Sequence, residues 1–265
     1  MNHRTPVSDA PRGLLITGTD TGVGKTYLTC LIARQLLARG LCTAAYKPVC
    51  SGAVSRLAPR SGSIEQNSGT ADPDLGTELM WDDIDRLSEA TNRIWSELLI
   101  CPQKFIAPLA PPVAASLEGR SVDFEMAVAG AYRFPGAEIV LVEGAGGWLS
   151  PVSESATVAD LAQELNLPVL IVSRTGLGTI NHTLLTIASV RERGLPVTGV
   201  VMNEAIPTSN DLSCKTNADE IARRGSVTVL GVVPYGTQCE LQRDCQTVTI
   251  PWQDLAGPMM KSRSA

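Results

Sequence analysis

Histidine is the scarcest of the reactive residues in this chain. Only His3 and His182 carry an imidazole, so histidine catalysis or a zinc cluster has few candidates. The seven cysteines include no C-x-x-C pair. Their odd number, and the lack of a signal-peptide pattern, lead to the expectation of reduced thiols in a cytoplasmic protein. No apolar run approaches the roughly 20 residues of a membrane-spanning helix. A basic surplus is also missing: 22 Lys and Arg against 27 Asp and Glu leave a net charge of -5. Nothing there would displace the counterions of a nucleic-acid backbone. Neither nucleic acid nor membrane is therefore an expected partner. What is present, 44% hydrophobic residues over 265 positions, can build a sizeable core in one large domain or two small ones.

Thr17-Gly18-Thr19-Asp20-Thr21-Gly22-Val23-Gly24-Lys25-Thr26 follows the apolar run Leu14-Leu15-Ile16 and precedes an apolar-periodic helix over 27–39. Strand, Gly-rich turn and helix in that order form a phosphate-binding loop, whose backbone N–H groups point at negative charge. Lys25 is placed to reach the β and γ phosphates, and Thr26 to offer its hydroxyl to Mg²⁺. The spacing departs from the generic G-x-x-x-x-G-K-[ST]. Thr19 stands where the first Gly belongs, and Gly18 lies one residue earlier.

Downstream, strands and helices alternate. Strands are expected at 42–46, 138–142, 168–172, 197–202 and 227–232. Helices are expected at 81–91, 122–132, 157–165, at 180–193 closed by Gly194, and at 211–224 closed by Gly225. The stretch 51–77 reads as a long surface loop, 105–114 as irregular, and 238–265 as a weakly patterned, loose tail. This alternation implies right-handed β-α-β crossovers. The expected fold is a single-domain, P-loop NTPase-like α/β structure, a mostly parallel sheet with helices on both faces. Its domain spans 13–236, with terminal segments at 1–12 and 237–265.

Functional groups of such a sheet gather at the carboxyl ends of its strands. Glu143 directly follows a buried strand and precedes Gly144-Ala145-Gly146-Gly147; a carboxylate there can hold Mg²⁺. Lys47-Pro48 ends the strand expected beside that of the phosphate loop, where an ammonium could stabilise a developing anion. On its own such a lysine is ordinarily solvated, and only the nearby loop gives it weight. Asp82 and Asp83 at a helix start are ordinary dipole partners, and Asn181-His182 an ordinary cap.

Together these residues resemble dethiobiotin synthetase. The likeness is carried by 18–26, by Tyr46-Lys47-Pro48-Val49 with Ser51-Gly52, and by 142–147. It continues in Leu177-Gly178-Thr179-Ile180-Asn181-His182, Gly199-Val200-Val201-Met202-Asn203 and Gly231-Val232-Val233-Pro234. It runs in order from about residue 14 to 235, and the longer phosphate loop is the family's form. The resemblance implies an enzyme that joins 7,8-diaminononanoate (7,8-diaminopelargonate) to CO₂, consuming ATP with Mg²⁺, in biotin biosynthesis.

Carried over, ATP falls to Asp20, Thr21, Gly22, Val23, Gly24, Lys25, Thr26, Glu143, Asn203 and Pro234. The substrate falls to Thr21, Lys47, Ser51, Gly146, Gly178 and Asn181, the last two across a homodimer interface. Mg²⁺ falls to Thr26, Glu143 and Asp83, with Asp82 close behind, and the chemistry to Lys25, Lys47 and Thr21. The stretch 51–83 is longer than the family's, and Pro112 stands where a His is frequent. Two other readings use related folds. A partitioning-type ATPase needs an early loop Lys where this chain has Asp20. A glutamine-dependent amidotransferase needs a second domain for which the chain has no room.

Overall fold

The apolar runs lie side by side as strands. The computed structural model describes residues 11–57, 77–205, 207, 212–237 and 240–259. In chain order, β1 (Arg12–Gly18) leads through the Gly-rich loop into α1 (Lys25–Ala38). β2 (Thr43–Tyr46), β3 (Val49–Ser51), β4 (Val54–Leu57) and β5 (Thr77–Met80) follow. Next come α2 (Asp82–Ala90), α3 (Glu97–Ile100), β6 (Gln103–Phe105), α4 (Pro111–Leu117) and α5 (Phe124–Gly130). β7 (Ile139–Glu143), α6 (Val158–Leu165), β8 (Val169–Arg174), α7 (Thr179–Glu192) and β9 (Val197–Asn203) continue the alternation. A 3₁₀ turn at Leu212–Lys215 precedes α8 (Asn217–Gly225) and β10 (Val229–Val233). The described chain closes with β11 (Leu241–Arg243), β12 (Gln246–Val248), α9 (Trp252–Leu255) and β13 (Gly257–Pro258).

The main sheet has the order β12-β11-β10-β9-β8-β1-β7-β2. From β10 to β2 every pairing is parallel, while β11 and β12 run antiparallel at one edge. Helices cover both faces, as expected of an α/β P-loop fold. β7 is buried along its whole length, which is why it reads as Ile-Val-Leu-Val rather than as an alternation. The principal core surrounds these strands, and a small satellite core of Val49, Phe105, Ala114, Ala115 and Val122 lies under β3 and β6.

Four expectations are corrected. β2 is not the neighbour of β1: β7 lies between them, so Lys47 reaches the phosphate loop across Glu143. The expected loop 51–77 is a paired ribbon at its ends, β4 against β5, and the rest of it (58–76) lies outside the described residues. Residues 105–114 are not irregular throughout, because Pro111 and Pro112 open α4, where a missing N–H costs nothing. Gly225 is the last residue of α8, and Ser226 makes the left-handed turn at φ 44°.

The segment expected as a loose tail is built into the fold over 240–259. Its Trp252 is buried and donates from Nε1 to Gln35 at 2.7 Å. β13 pairs with Arg12 and Gly13, below the level of Leu15 where β8 begins to pair. The start of the expected helix at 211 falls outside the described residues.

Candidate active site

The phosphate loop hangs between β1 and α1, held from beneath. Gly24 caps α1 at φ 96°, a left-handed conformation that L side chains avoid. A Cβ there would also collide with the carboxamide of Asn203. That carboxamide donates from Nδ2 to the Val23 carbonyl at 3.0 Å, tying the loop to the end of β9. Asp20 turns its carboxylate back on the loop, accepting from the Thr21 N–H at 2.7 Å, and pairs with Arg174 at the end of β8.

A cavity of about 390 Å³ opens at the loop. It is lined by Thr21, Gly22, Gly24, Lys25, Thr26, Lys47, Ser51, Asp83, Glu143 and Gly146, so ten of the predicted site residues meet in one place. Gly178 and Asn181 do not line it; both belong to the start of α7, where Gly178 and not Asn181 is the cap. Pro234 lines a separate depression with Gln242 and Arg243. Asp83 faces the cavity and Asp82 does not. The reason is helical: one residue of α2 rotates the side chain by about 100°.

The polar centre is a connected cluster. Thr26 Oγ1 donates to Glu143 Oε1 at 2.7 Å. Lys47 Nζ donates to the same oxygen at 2.8 Å and to Asp83 Oδ2 at 2.5 Å. Glu143 is 0% exposed, and its Oε2 is buried with no partner. A fully buried carboxylate would be costly alone; Lys47 and Thr26 compensate it. Burial pulls the Lys47 pKa down, but Glu143 and Asp83 outweigh it and hold the ammonium above its ordinary value. Burial likewise raises Asp83, and Lys47 outweighs it, so this carboxyl stays below the usual range. Lys25 is different. Burial dominates over the neighbouring carboxylates and lowers its pKa to about 8, and Nζ donates to the Asp20 carbonyl at 3.1 Å.

Among the described residues no three His, Cys, Asp or Glu side chains converge as a metal cage. A cation here would share a hydroxyl, two carboxylates and outside oxygens. That all-oxygen, incomplete donor set fits Mg²⁺, which keeps waters and phosphate oxygens in its shell. The orphaned Glu143 Oε2 fits it too.

Three residues escaped the sequence reading. Arg86 lines the cavity one turn after Asp83, and that i, i+3 spacing was the available signal. Arg174 ends β8 and pairs with Asp20, as a strand-end residue can. Cys50 lines the cavity as well, its thiol pushed up to about 11 by burial.

Comparison with known proteins gives a consistent result. Residues 12–243 match the family described as AAA domain. ATP-dependent dethiobiotin synthetase of Anaeromyxobacter sp. strain Fw109-5 is 46% identical over 213 residues, 80% of this chain and 85% of that protein. Its counterpart from Anaeromyxobacter dehalogenans strain 2CP-1 is 43% identical over 225 residues, 84% of this chain and 90% of the relative. The one from Bacillus subtilis strain 168 is 38% identical over 224 residues, 84% and 87% of the two chains.

Proposed function

The chain belongs to the dethiobiotin synthetase family of ATP-dependent ligases in biotin biosynthesis, and from that premise we propose its reaction and the roles of its residues. The substrates are 7,8-diaminononanoate, CO₂ (or bicarbonate as its source) and ATP, with Mg²⁺. One amine adds to CO₂ and loses a proton, giving a carbamate. A carbamate oxygen attacks the γ-phosphorus, the bond to ADP breaks, and a mixed anhydride forms. The second amine attacks the carbonyl carbon and phosphate leaves. Loss of a proton to solvent completes the ureido ring of dethiobiotin.

The observation that carries this reading is the Lys47 ammonium, held at 2.8 Å from Glu143 and 2.5 Å from Asp83 at the mouth of the phosphate loop. Lys25 already serves the nucleotide phosphates. A second buried ammonium beside it suits a reaction in which two anions, carbamate and phosphoryl group, must be brought together. Lys25 holds the β and γ phosphates, and Lys47 takes the carbamate side of the γ-phosphate. Thr21 and Gly146 border the diamine or carbamate. Ser51 donates its hydroxyl to the Leu109 carbonyl at 2.6 Å, so toward the substrate its oxygen acts as an acceptor. Thr26, Asp83 and Glu143 would hold Mg²⁺, which when bound would supply positive charge to the phosphate oxygens.

At the other end of the nucleotide, Asn203 and Pro234 border adenine, with Asp20, Gly22, Val23 and Gly24 framing the loop. Gly178 and Asn181 meet the substrate carboxylate across a homodimer interface, at the N-terminal end of α7. Among the described residues no helix is long and apolar enough to cross a membrane, and a cytoplasmic enzyme is the reading that suits these substrates.

ADP release should require both the diamine and bicarbonate, and should not require glutamine. Dethiobiotin appearing by mass spectrometry only in the complete mixture supports the reading. ADP release that ignores the diamine overturns it.

A further inference from the structure

The cavity at the phosphate loop is lined by three cations, Lys25, Lys47 and Arg86, and by two carboxylates, Asp83 and Glu143. Both lysines are engaged: Lys47 with the two carboxylates, Lys25 with the Asp20 carbonyl. Among the described residues, the Arg86 guanidinium has no hydrogen bond and no ion pair. Its backbone, by contrast, is fixed. The Arg86 carbonyl accepts from Cys30 Sγ of α1 at 3.4 Å, and the residue sits one turn beyond Asp83 on α2. The helix that follows the phosphate loop therefore also sets where this arginine stands.

A guanidinium is charged at every accessible pH and presents a planar fork of donors that matches phosphate oxygens. Here it shares a wall with Asp83 and Lys47, whereas Asn203 and Pro234 do not line the cavity. Resting on the roles proposed above, in which Asp83 and Lys47 mark the γ side, we infer that Arg86 binds the terminal phosphate of the nucleotide. It thus adds a bidentate ligand to the point charges of Lys25 and Lys47. ADP, which lacks that phosphate, gains nothing from it.

The test compares wild-type protein, Arg86→Gln and Arg86→Lys by calorimetry with Mg²⁺, using ADP and a non-hydrolysable ATP analogue. Arg86→Gln should lose about tenfold or more in affinity for the ATP analogue while ADP binding stays within about twofold, as loss of a charge-assisted pair predicts. Arg86→Lys should fall between. Normal ADP binding by the variants also establishes that they are folded. Unchanged affinity for both ligands, or an equal loss for both, overturns the inference. The outcome is independent of the ring-closing reading. Wild-type protein that makes no dethiobiotin would end that reading, yet a selective loss of ATP affinity in Arg86→Gln would still stand.

Discussion

Lys47 and Glu143 lie 96 positions apart in sequence and 2.8 Å apart in space, at the same level of two adjacent parallel strands. The register accounts for it. Tyr46, the last residue of β2, is paired with Val142 of β7, and the residues that follow the two are the lysine and the glutamate. The sheet therefore delivers an ammonium and a carboxylate to one point at the edge of the phosphate loop. Asp83, from the first turn of α2, completes the arrangement.

Removing the lysine should be felt in stability and in chemistry separately. Lys47→Met leaves Glu143 buried without its cation, a change that commonly costs about 3–5 kcal/mol. We expect a lower unfolding midpoint in the ligand-free protein, partly restored by Mg²⁺ with nucleotide. Dethiobiotin formation should fall by roughly a hundredfold or more even where the variant is fully folded. Unchanged turnover would remove Lys47 from the reaction.

The proposed metal acids can be told apart by substitutions that keep the shape and remove the charge. Glu143→Gln and Asp83→Asn should each shift the Mg²⁺ dependence of ADP release to higher concentration, while Asp82→Asn should not. The measurement is a Mg²⁺ titration at saturating ATP. A response from Asp82→Asn instead of Asp83→Asn would reassign the site.

Lys25 gives a pH signature. Burial, helped by the Lys47 charge and opposed by Glu143, Asp83 and Asp20, holds its pKa in the folded protein at about 8, below the ordinary 10.5. The unfolded chain binds the extra proton between those values, so this group's destabilising contribution is full below pH 8 and relieved as pH rises toward 10.5. An incoming triphosphate favours the charged form. Nucleotide binding near pH 8 to 9 should accordingly take up protons, seen as a dependence of the binding heat on the buffer's ionisation enthalpy. Lys25→Ala should abolish that uptake and nearly all ADP release while leaving the fold intact.

A structural prediction concerns the start of α6. Thr157 and Asp160 cap each other there, and Asp160 also pairs with Arg193 at 2.6 Å. Burial pushes the Asp160 carboxyl up, but the hydrogen bonds from Thr157 and Arg193 and the Arg193 charge together outweigh it and bring the pKa down to about 2. This contribution is present above pH 4 and fades as pH falls toward 2. Asp160→Asn should cost on the order of 1 kcal/mol at neutral pH and flatten the acid limb of a denaturation series.

Much of this was legible before any fold was known. The phosphate loop announces itself because its glycines answer a local demand, a left-handed Gly24 at the start of α1, and because strand and helix flank it. The buried strands read as apolar runs, and Lys47, Glu143 and Asn203 stood at strand ends, where an α/β sheet presents its chemistry. These signals depend on periods of two and 3.6 residues and are complete within short windows.

Strand order is not such a signal. That β7 lies between β1 and β2 depends on how whole apolar faces pack across crossovers. The sequence therefore identified Lys47 without its partner, and it put Asp83 ahead of Asp82 only through the resemblance, not through any local signal. The closing segment was missed for the same reason. Its pattern is weak because β13 borrows an edge of β1, and Trp252 a partner on α1, from the far end of the chain. Arg86 gained meaning only when α2 packed on α1 and turned it toward the cavity. The sequence determined which groups exist and on which elements they ride. The tertiary structure decided which of them meet, because contact across 50 or 100 residues follows from the packing of the entire sheet.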